Sequence, residues 1–215
     1  MSRGGPRRGP GGAAPLPPAW RSKANLPIST VPAGTTLHRV HLKIHDAVFF
    51  APGRNAAGSR EPPLYRFDSA SGRFGVLYAA KDLAGALVET LLRNPQRHSV
   101  PLTKMVERSA TELECTRNLR FVQLHGAGLQ QVGADNSIST GPYDPCGHWA
   151  DALWDHQDCP DGVEYLSRHD PDRVCWAVFE RPALTFGKRA TTELQSRLSE
   201  VAAVLQKYGK SVSPD

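Results

Sequence analysis

Residues 74–91 read Phe74-Gly75-Val76-Leu77-Tyr78-Ala79-Ala80-Lys81-Asp82-Leu83-Ala84-Gly85-Ala86-Leu87-Val88-Glu89-Thr90-Leu91, and their periodicity changes halfway. Phe74 to Ala80 is a continuous apolar run of strand length, the pattern of a strand buried on both faces. Asp82 then supplies a side-chain acceptor for the free N–H groups of a helix start, which predicts a helix through about Arg93. Leu83, Leu87 and Leu91 fall at i, i+4 and i+8 and, with Ala84 and Val88, form the core-facing stripe. Glu89 lies off that stripe, near Gly85, on the polar side of the helix.

Outward from this strand and helix, Leu119 to Leu124, Val163 to Leu166 and Val174 to Phe179 read as further strands, and His148 to His156 as a helix presenting Trp149, Ala152 and Leu153. Thr191 to Lys207 reads as an amphipathic helix with Leu194, Leu198, Val201 and Leu205 on one side. That stripe serves either to close the core or to form a homo-oligomer. Strands with few crossover helices between them predict an α+β fold, a mixed central β-sheet flanked by helices. Residues 1–34 are rich in Gly and Pro and lack an apolar period, so a disordered arm is expected there, followed by a single domain over 35–215. A second Gly/Pro-rich loop is expected from Pro52 to Pro63.

The net charge of +5 suggests a polyanion partner only until its location is checked. Arg3, Arg7, Arg8, Arg21 and Lys23, with no acidic residue before position 31, account for the whole excess; the rest is balanced. Binding of nucleic acid by the basic arm, with the domain as a mere scaffold, is therefore one of the functions to be weighed. No apolar run approaches the roughly 20 residues that cross a bilayer, and the basic N-terminus lacks a secretory apolar segment. No membrane association and a cytoplasmic location are expected. Four cysteines are too few for a disulfide scaffold. Cys146, His148, His156 and Cys159 do not match a standard zinc spacing, so no metal site is expected. Neither a Walker A sequence nor a Gly-x-Gly-x-x-Gly after a strand occurs, which argues against an ATPase or a Rossmann dehydrogenase.

Several ordered motifs remain: His38-Arg39-Val40, Phe49-Phe50, Tyr65-Arg66-Phe67-Asp68, Tyr78 with Glu89 eleven residues on, Ser139-Thr140-Gly141, Trp149-Ala150, and Asp161-Gly162-Val163-x-Tyr165-x-Ser167-Arg168. Together, over residues 37–181, they resemble the RES-domain family, named for its Arg, Glu and Ser. The resemblance implies an ADP-ribosyltransferase-like fold and a toxin-like enzyme that consumes NAD as a substrate, with no separate cofactor. It implies cleavage of the nicotinamide–ribose N-glycosidic bond, with inorganic phosphate or water as acceptor. It also implies an antitoxin partner carrying a helix-turn-helix domain. Transfer of ADP-ribose to a cellular protein uses the same residues and remains an alternative.

On this resemblance, Glu89, Arg66 and Ser167 are the expected catalytic residues, and Arg39, Tyr78, Tyr165 and Arg168 the substrate-binding ones. Arginine's rigid fork of donors suits a pyrophosphate, which assigns that role to Arg39 and Arg66. A carboxylate stabilises the positive charge that develops on ribose as the bond breaks, which is the role of Glu89. Ser167 is expected as a hydrogen-bonding residue for ribose or nicotinamide, since neither a nucleophile elbow nor a triad order surrounds it. Ser137 and Ser139 compete with it, and its Tyr-x-Ser-Arg setting favours Ser167. The histidines at 41, 45, 125, 148 and 169 read mostly as surface or internally satisfied.

Overall fold

The computed structural model describes Pro17 and residues 25–52 and 65–214. Its strands are β1 (Ile28–Val31), β2 (Thr36–Leu42), β3 (Ala51–Pro52), β4 (Gly75–Ala80), β5 (Ser99–Pro101), β6 (Arg108–Cys115), β7 (Leu119–Gln123), β8 (Gly162–Leu166), β9 (Val174–Phe179), β10 (Phe186–Glu193) and β11 (Ser211–Ser213). Its helices are α1 (Leu83–Leu91), α2 (Leu102–Val106), α3 (Ala127–Val132), α4 (Ser137–Thr140), α5 (Asp144–Trp154) and α6 (Leu198–Lys207). One sheet runs β1-β7-β8-β9-β4-β2-β6-β10, with β3 added to β4, and β11 pairs with β5 apart from it. Strands β7 and β8 are parallel and their neighbours antiparallel, so the sheet is mixed and the fold is α+β.

The apolar run at 74–80 is a central strand, and alternation sends its side chains to two cores. Val76 and Ala80 join a cluster with Leu87 and Val88 of α1, Trp149 and Leu153 of α5, and Val201 and Leu205 of α6. Leu77 and Ala79 join a second cluster with Leu37, Leu113, Phe121 and Trp176 on the opposite face. Asp82 caps α1 by accepting from the Gly85 N–H at 2.7 Å.

Three sequence expectations need correction. Ile28–Val31, placed above in the arm, forms edge strand β1, antiparallel to β7 from Ile28↔Val122 to Val31↔Leu119. Ser29 Oγ secures it by donating to the buried Glu164 at 3.0 Å, a carboxylate also held by Trp176 Nε1 and His125. Residues 1–16 and 18–24 of the arm, 53–63 of the second loop and the adjoining residue 64 lie outside the described residues. Thr191, Thr192 and Glu193 extend β10, where Thr191 pairs with Thr111, so the helix begins only at Leu198 after a 3₁₀ turn. Two β-branched threonines beside a neighbouring strand favour extension over helix. The helix expected at His148 starts at Asp144, with Pro145 in its first turn, a place where proline's missing N–H costs nothing. The C-terminal stripe packs inward: Leu194, Val201 and Leu205 are fully buried, and Leu198 is partly exposed. Among the described residues no helix is long and apolar enough to cross a membrane.

Candidate active site

Strands β2 and β4 are paired through a single register position, His38↔Ala80. Beyond it β2 stays with β6 as far as Leu42↔Arg108, whereas β4 takes β3 as its partner through Ala51↔Val76. The two strands therefore diverge, and a cavity of about 610 Å³ opens at the divergence, within the usual range for small-molecule sites. Its walls include Arg39 of β2, Tyr78 of β4, Glu89 of α1, Tyr165 of β8, and Arg66 and Arg168 from loops. Six of the seven predicted site residues thus meet in one cavity.

The seventh, Ser167, is buried and is absent from the cavity wall. Its Oγ accepts from the N–H groups of His169 and Asp170 at 3.1 and 3.3 Å and donates its hydrogen to Glu89 Oε1 at 2.5 Å. Because backbone donors occupy its lone pairs, the hydroxyl can point only at the carboxylate. Tyr165 donates to the other oxygen, Oε2, at 3.3 Å. Burial, and then the charge of Glu89, push the Tyr165 phenol well above its ordinary pKa, so it remains a donor. In this structure Ser167 accordingly supports Glu89 from behind the cavity wall, whereas the sequence reading expected it to hydrogen-bond ribose or nicotinamide. Ser137 hydrogen-bonds Asp135, Ser139 is buried, and neither lines the cavity.

Tyr78 is fixed from two sides: its hydroxyl donates to Asp68 Oδ1 at 3.0 Å and accepts from the Phe67 N–H at 2.9 Å. Burial and the neighbouring Asp68 raise its pKa well above the ordinary value. Arg66 is nearly inaccessible, and its Nη1 donates to the carbonyls of Ile138 and Gly141 at 3.1 and 3.0 Å. The Ser139-Thr140-Gly141 motif therefore contributes backbone carbonyls that aim an arginine. Among the described residues, Arg66 Nη2 and the Nη1 of Arg39, both buried, have no hydrogen-bond partner. Burial lowers the Arg39 pKa to about 10, partly offset by Tyr65 and Asp46, so it is still a cation at neutral pH. Two guanidinium groups on one cavity wall have the charge and donor geometry that suit an anion with several oxygens.

Several wall residues escaped the sequence reading. Tyr143 lies under the Arg66 guanidinium at 4.6 Å, and Tyr65 under that of Arg93 at 4.8 Å. Tyr65 stood in a quoted motif, but nothing local marked Tyr143. Of the histidines, His148 is exposed and His125 is satisfied by Glu164, whereas His41, His45 and His169 line the cavity. Burial lowers the His169 pKa, with Glu89 opposing and Arg168 assisting, which keeps the ring neutral at pH 7. Among the described residues no three His, Cys, Asp or Glu side chains are grouped to hold a metal; Cys146 is buried beside Arg66 and Cys159 is exposed.

Within the signature 161–168, Asp161 and Gly162 serve the fold instead. Arg117 grips Asp161 with two bonds of 2.9 and 2.6 Å, and the Arg120 N–H adds a third at 2.8 Å. A Cβ on Gly162 would come within 2.1 Å of the Ala177 carbonyl oxygen across the β8–β9 pair.

Comparisons with known proteins bear on the fold and the family. A solved structure titled "Crystal structure of the M.tuberculosis MbcT-MbcA toxin-antitoxin complex" superposes with a TM-score of 0.56 at 20% identity, covering 84% of this chain and 91% of that one. A search of curated proteins found no match. The RES domain profile matches residues 36–196, about three quarters of the chain. The chain belongs to the RES domain family.

Proposed function

We propose that this protein cleaves the N-glycosidic bond between nicotinamide and ribose in NAD, acting as the toxin of a toxin–antitoxin pair. The observation that carries the reading is the Glu89 carboxylate, held by the hydroxyls of Tyr165 and Ser167 in a cavity whose wall also includes the arginines Arg39 and Arg66. As the bond lengthens, positive charge develops on the ribose, and a carboxylate already oriented by two donors stabilises it without reorganising. The arginines neutralise the pyrophosphate, so the dinucleotide is fixed while its sugar reacts. Nicotinamide departs as a neutral base, so a second carboxyl acting as general acid is not required, in keeping with a wall built around one glutamate. Tyr78, its hydroxyl tied to Asp68, presents its ring to the nicotinamide or ribose.

The toxin role rests on family membership and on the similarity of the fold to a protein solved in a toxin–antitoxin complex. An antitoxin that covers the cavity mouth, where exposed Arg93 and Arg168 lie, would inhibit by exclusion.

Purified protein given NAD releases nicotinamide, and Glu89→Ala slows that release by at least about 10²–10³-fold; undiminished release by the variant would remove Glu89 from the chemistry. Mass analysis of the second product, with and without inorganic phosphate, distinguishes phosphorolysis from hydrolysis. Covalent ADP-ribose on a cellular protein would instead identify a transferase.

A further inference from the structure

The cavity is longer than the catalytic cluster. Tyr165 and Ala80 share a row of the sheet through Cys175, which pairs with both, and this row carries the Glu89 end. The opposite end is walled by Leu42, Ala51 and Val76, where the Ala51↔Val76 pair lies four residues further down β4. At about 3.3 Å per residue that separation is about 13 Å. On β2, Arg39 lines the cavity one residue after His38, the partner of Ala80, and three before Leu42 of the far end.

Phe49 and His45 lie at this far end, and both line the cavity. Their rings are stacked, with centroids 4.4 Å apart and planes within 5°. Phe49 is half-buried yet belongs to neither hydrophobic core, unlike its neighbour Phe50, which packs into the second cluster. The turn that presents the two rings is well secured. The His45 N–H donates to the Leu42 carbonyl, the Val48 N–H to Asp46 Oδ1 at 2.8 Å and the Phe49 N–H to the Asp46 carbonyl, while Lys188 Nζ holds Asp46 Oδ2 at 2.7 Å. A large apolar ring kept out of the core and fixed beside a cavity offers a face to a flat ligand.

We propose that the Phe49–His45 pair is the purine subsite, on which the adenine ring of the dinucleotide stacks, so that the far end of the cavity distinguishes NAD from mononucleotides. This inference rests on the NAD reading above. It places adenine at one end, the pyrophosphate beside Arg39 and Arg66 in the middle, and the scissile bond at Glu89. Stacking selects for a base by its flat π-face without hydrogen-bonded readout, in keeping with a far end that sets the two rings beside Leu42, Ala51 and Val76, with His41 and Arg108 as its polar neighbours.

The test compares NAD with nicotinamide mononucleotide, which carries the same scissile bond and lacks the adenosine half. In Phe49→Ala the kcat/KM preference for NAD over the mononucleotide falls by about 5- to 150-fold, the range of one base stacked on an aromatic ring, and the loss lies in KM for NAD. Phe49→Trp restores the preference. An unchanged preference in Phe49→Ala, or equal losses on both substrates, overturns the proposal. A calorimetric titration with ADP separates this inference from the NAD chemistry, since ADP holds adenine and pyrophosphate and has no bond to cleave. If no nicotinamide is released, weaker ADP binding by Phe49→Ala with unchanged binding by Glu89→Gln still upholds the subsite. ADP binding that ignores Phe49, or no ADP binding at all, overturns it.

Discussion

At the start of β8, Asp161 and Gly162 are taken up by the fold, whereas at its far end Tyr165, Ser167 and Arg168 support or line the cavity, although all five stand in one run of eight residues. The difference follows from what each end meets. The first end abuts neighbouring strands on both sides, where the Ala177 carbonyl leaves no room for a side chain and Arg117 saturates the carboxylate. The second end runs out beyond its pairing with β7, which stops at Gln123↔Glu164, and stays bound to β9 alone, and there hydroxyls reach across to α1. A contiguous motif can thus join a folding requirement to a chemical one.

The contrast can be broken by substitution. Gly162→Ala should have the largest effect, a stability loss above about 4 kcal/mol or failure to fold, because backbone must move to admit the methyl group. A soluble variant with a near-parental thermal midpoint would show that β8 and β9 can separate freely. Glu89→Ala, the variant already named for nicotinamide release, comes next. Its rate loss of about 10²–10³-fold corresponds to about 2.7–4 kcal/mol of transition-state stabilisation. It should leave the thermal midpoint within a few degrees of the parent, and unfolding at much lower temperature would make Glu89 a structural residue.

Ser167→Ala should cost less, about 1–2 kcal/mol in kcat, because Tyr165 still orients one carboxylate oxygen. A KM effect with unchanged kcat would instead mean that Ser167 touches substrate. The smallest effect is expected at Asp170. Burial acts to raise its pKa, but the hydrogen bonds from Tyr208, the Asp172 N–H and Arg173 outweigh this and hold the carboxyl below its ordinary value. A folded pKa below the unfolded one adds stability that is complete above about pH 4, the unfolded value, and is lost as pH falls through the folded one. Denaturant titrations of the parent and Asp170→Asn should therefore differ most at neutral pH and converge in acid. A gap that widens on acidification would reverse the sign.

How much of this was legible in the sequence depended on whether the signal was local. The strand at 74–80, the Asp82 cap and the eleven-residue spacing of Tyr78 and Glu89 were readable because periodicity and capping are properties of neighbouring residues. Strand β10 was not, since an edge strand with mostly exposed side chains carries little alternation. Strand β1 was hidden in a Gly/Pro-rich setting, and its place depends on Glu164, 135 residues away from Ser29.

The same division applies to the site. The sequence alone singled out Glu89, Arg39, Arg66 and Tyr78 as candidates for the chemistry, because residue type and motif spacing are covalent facts. Only the tertiary structure decided their geometry: the divergence of β2 from β4 that opens the cavity, the turning of Ser167 toward Glu89, and the arrival of Phe49, Tyr143 and His169 at its walls. Those outcomes depend on pairing between strands remote in the chain, and a side chain's direction is settled only when its neighbours across the sheet are in place.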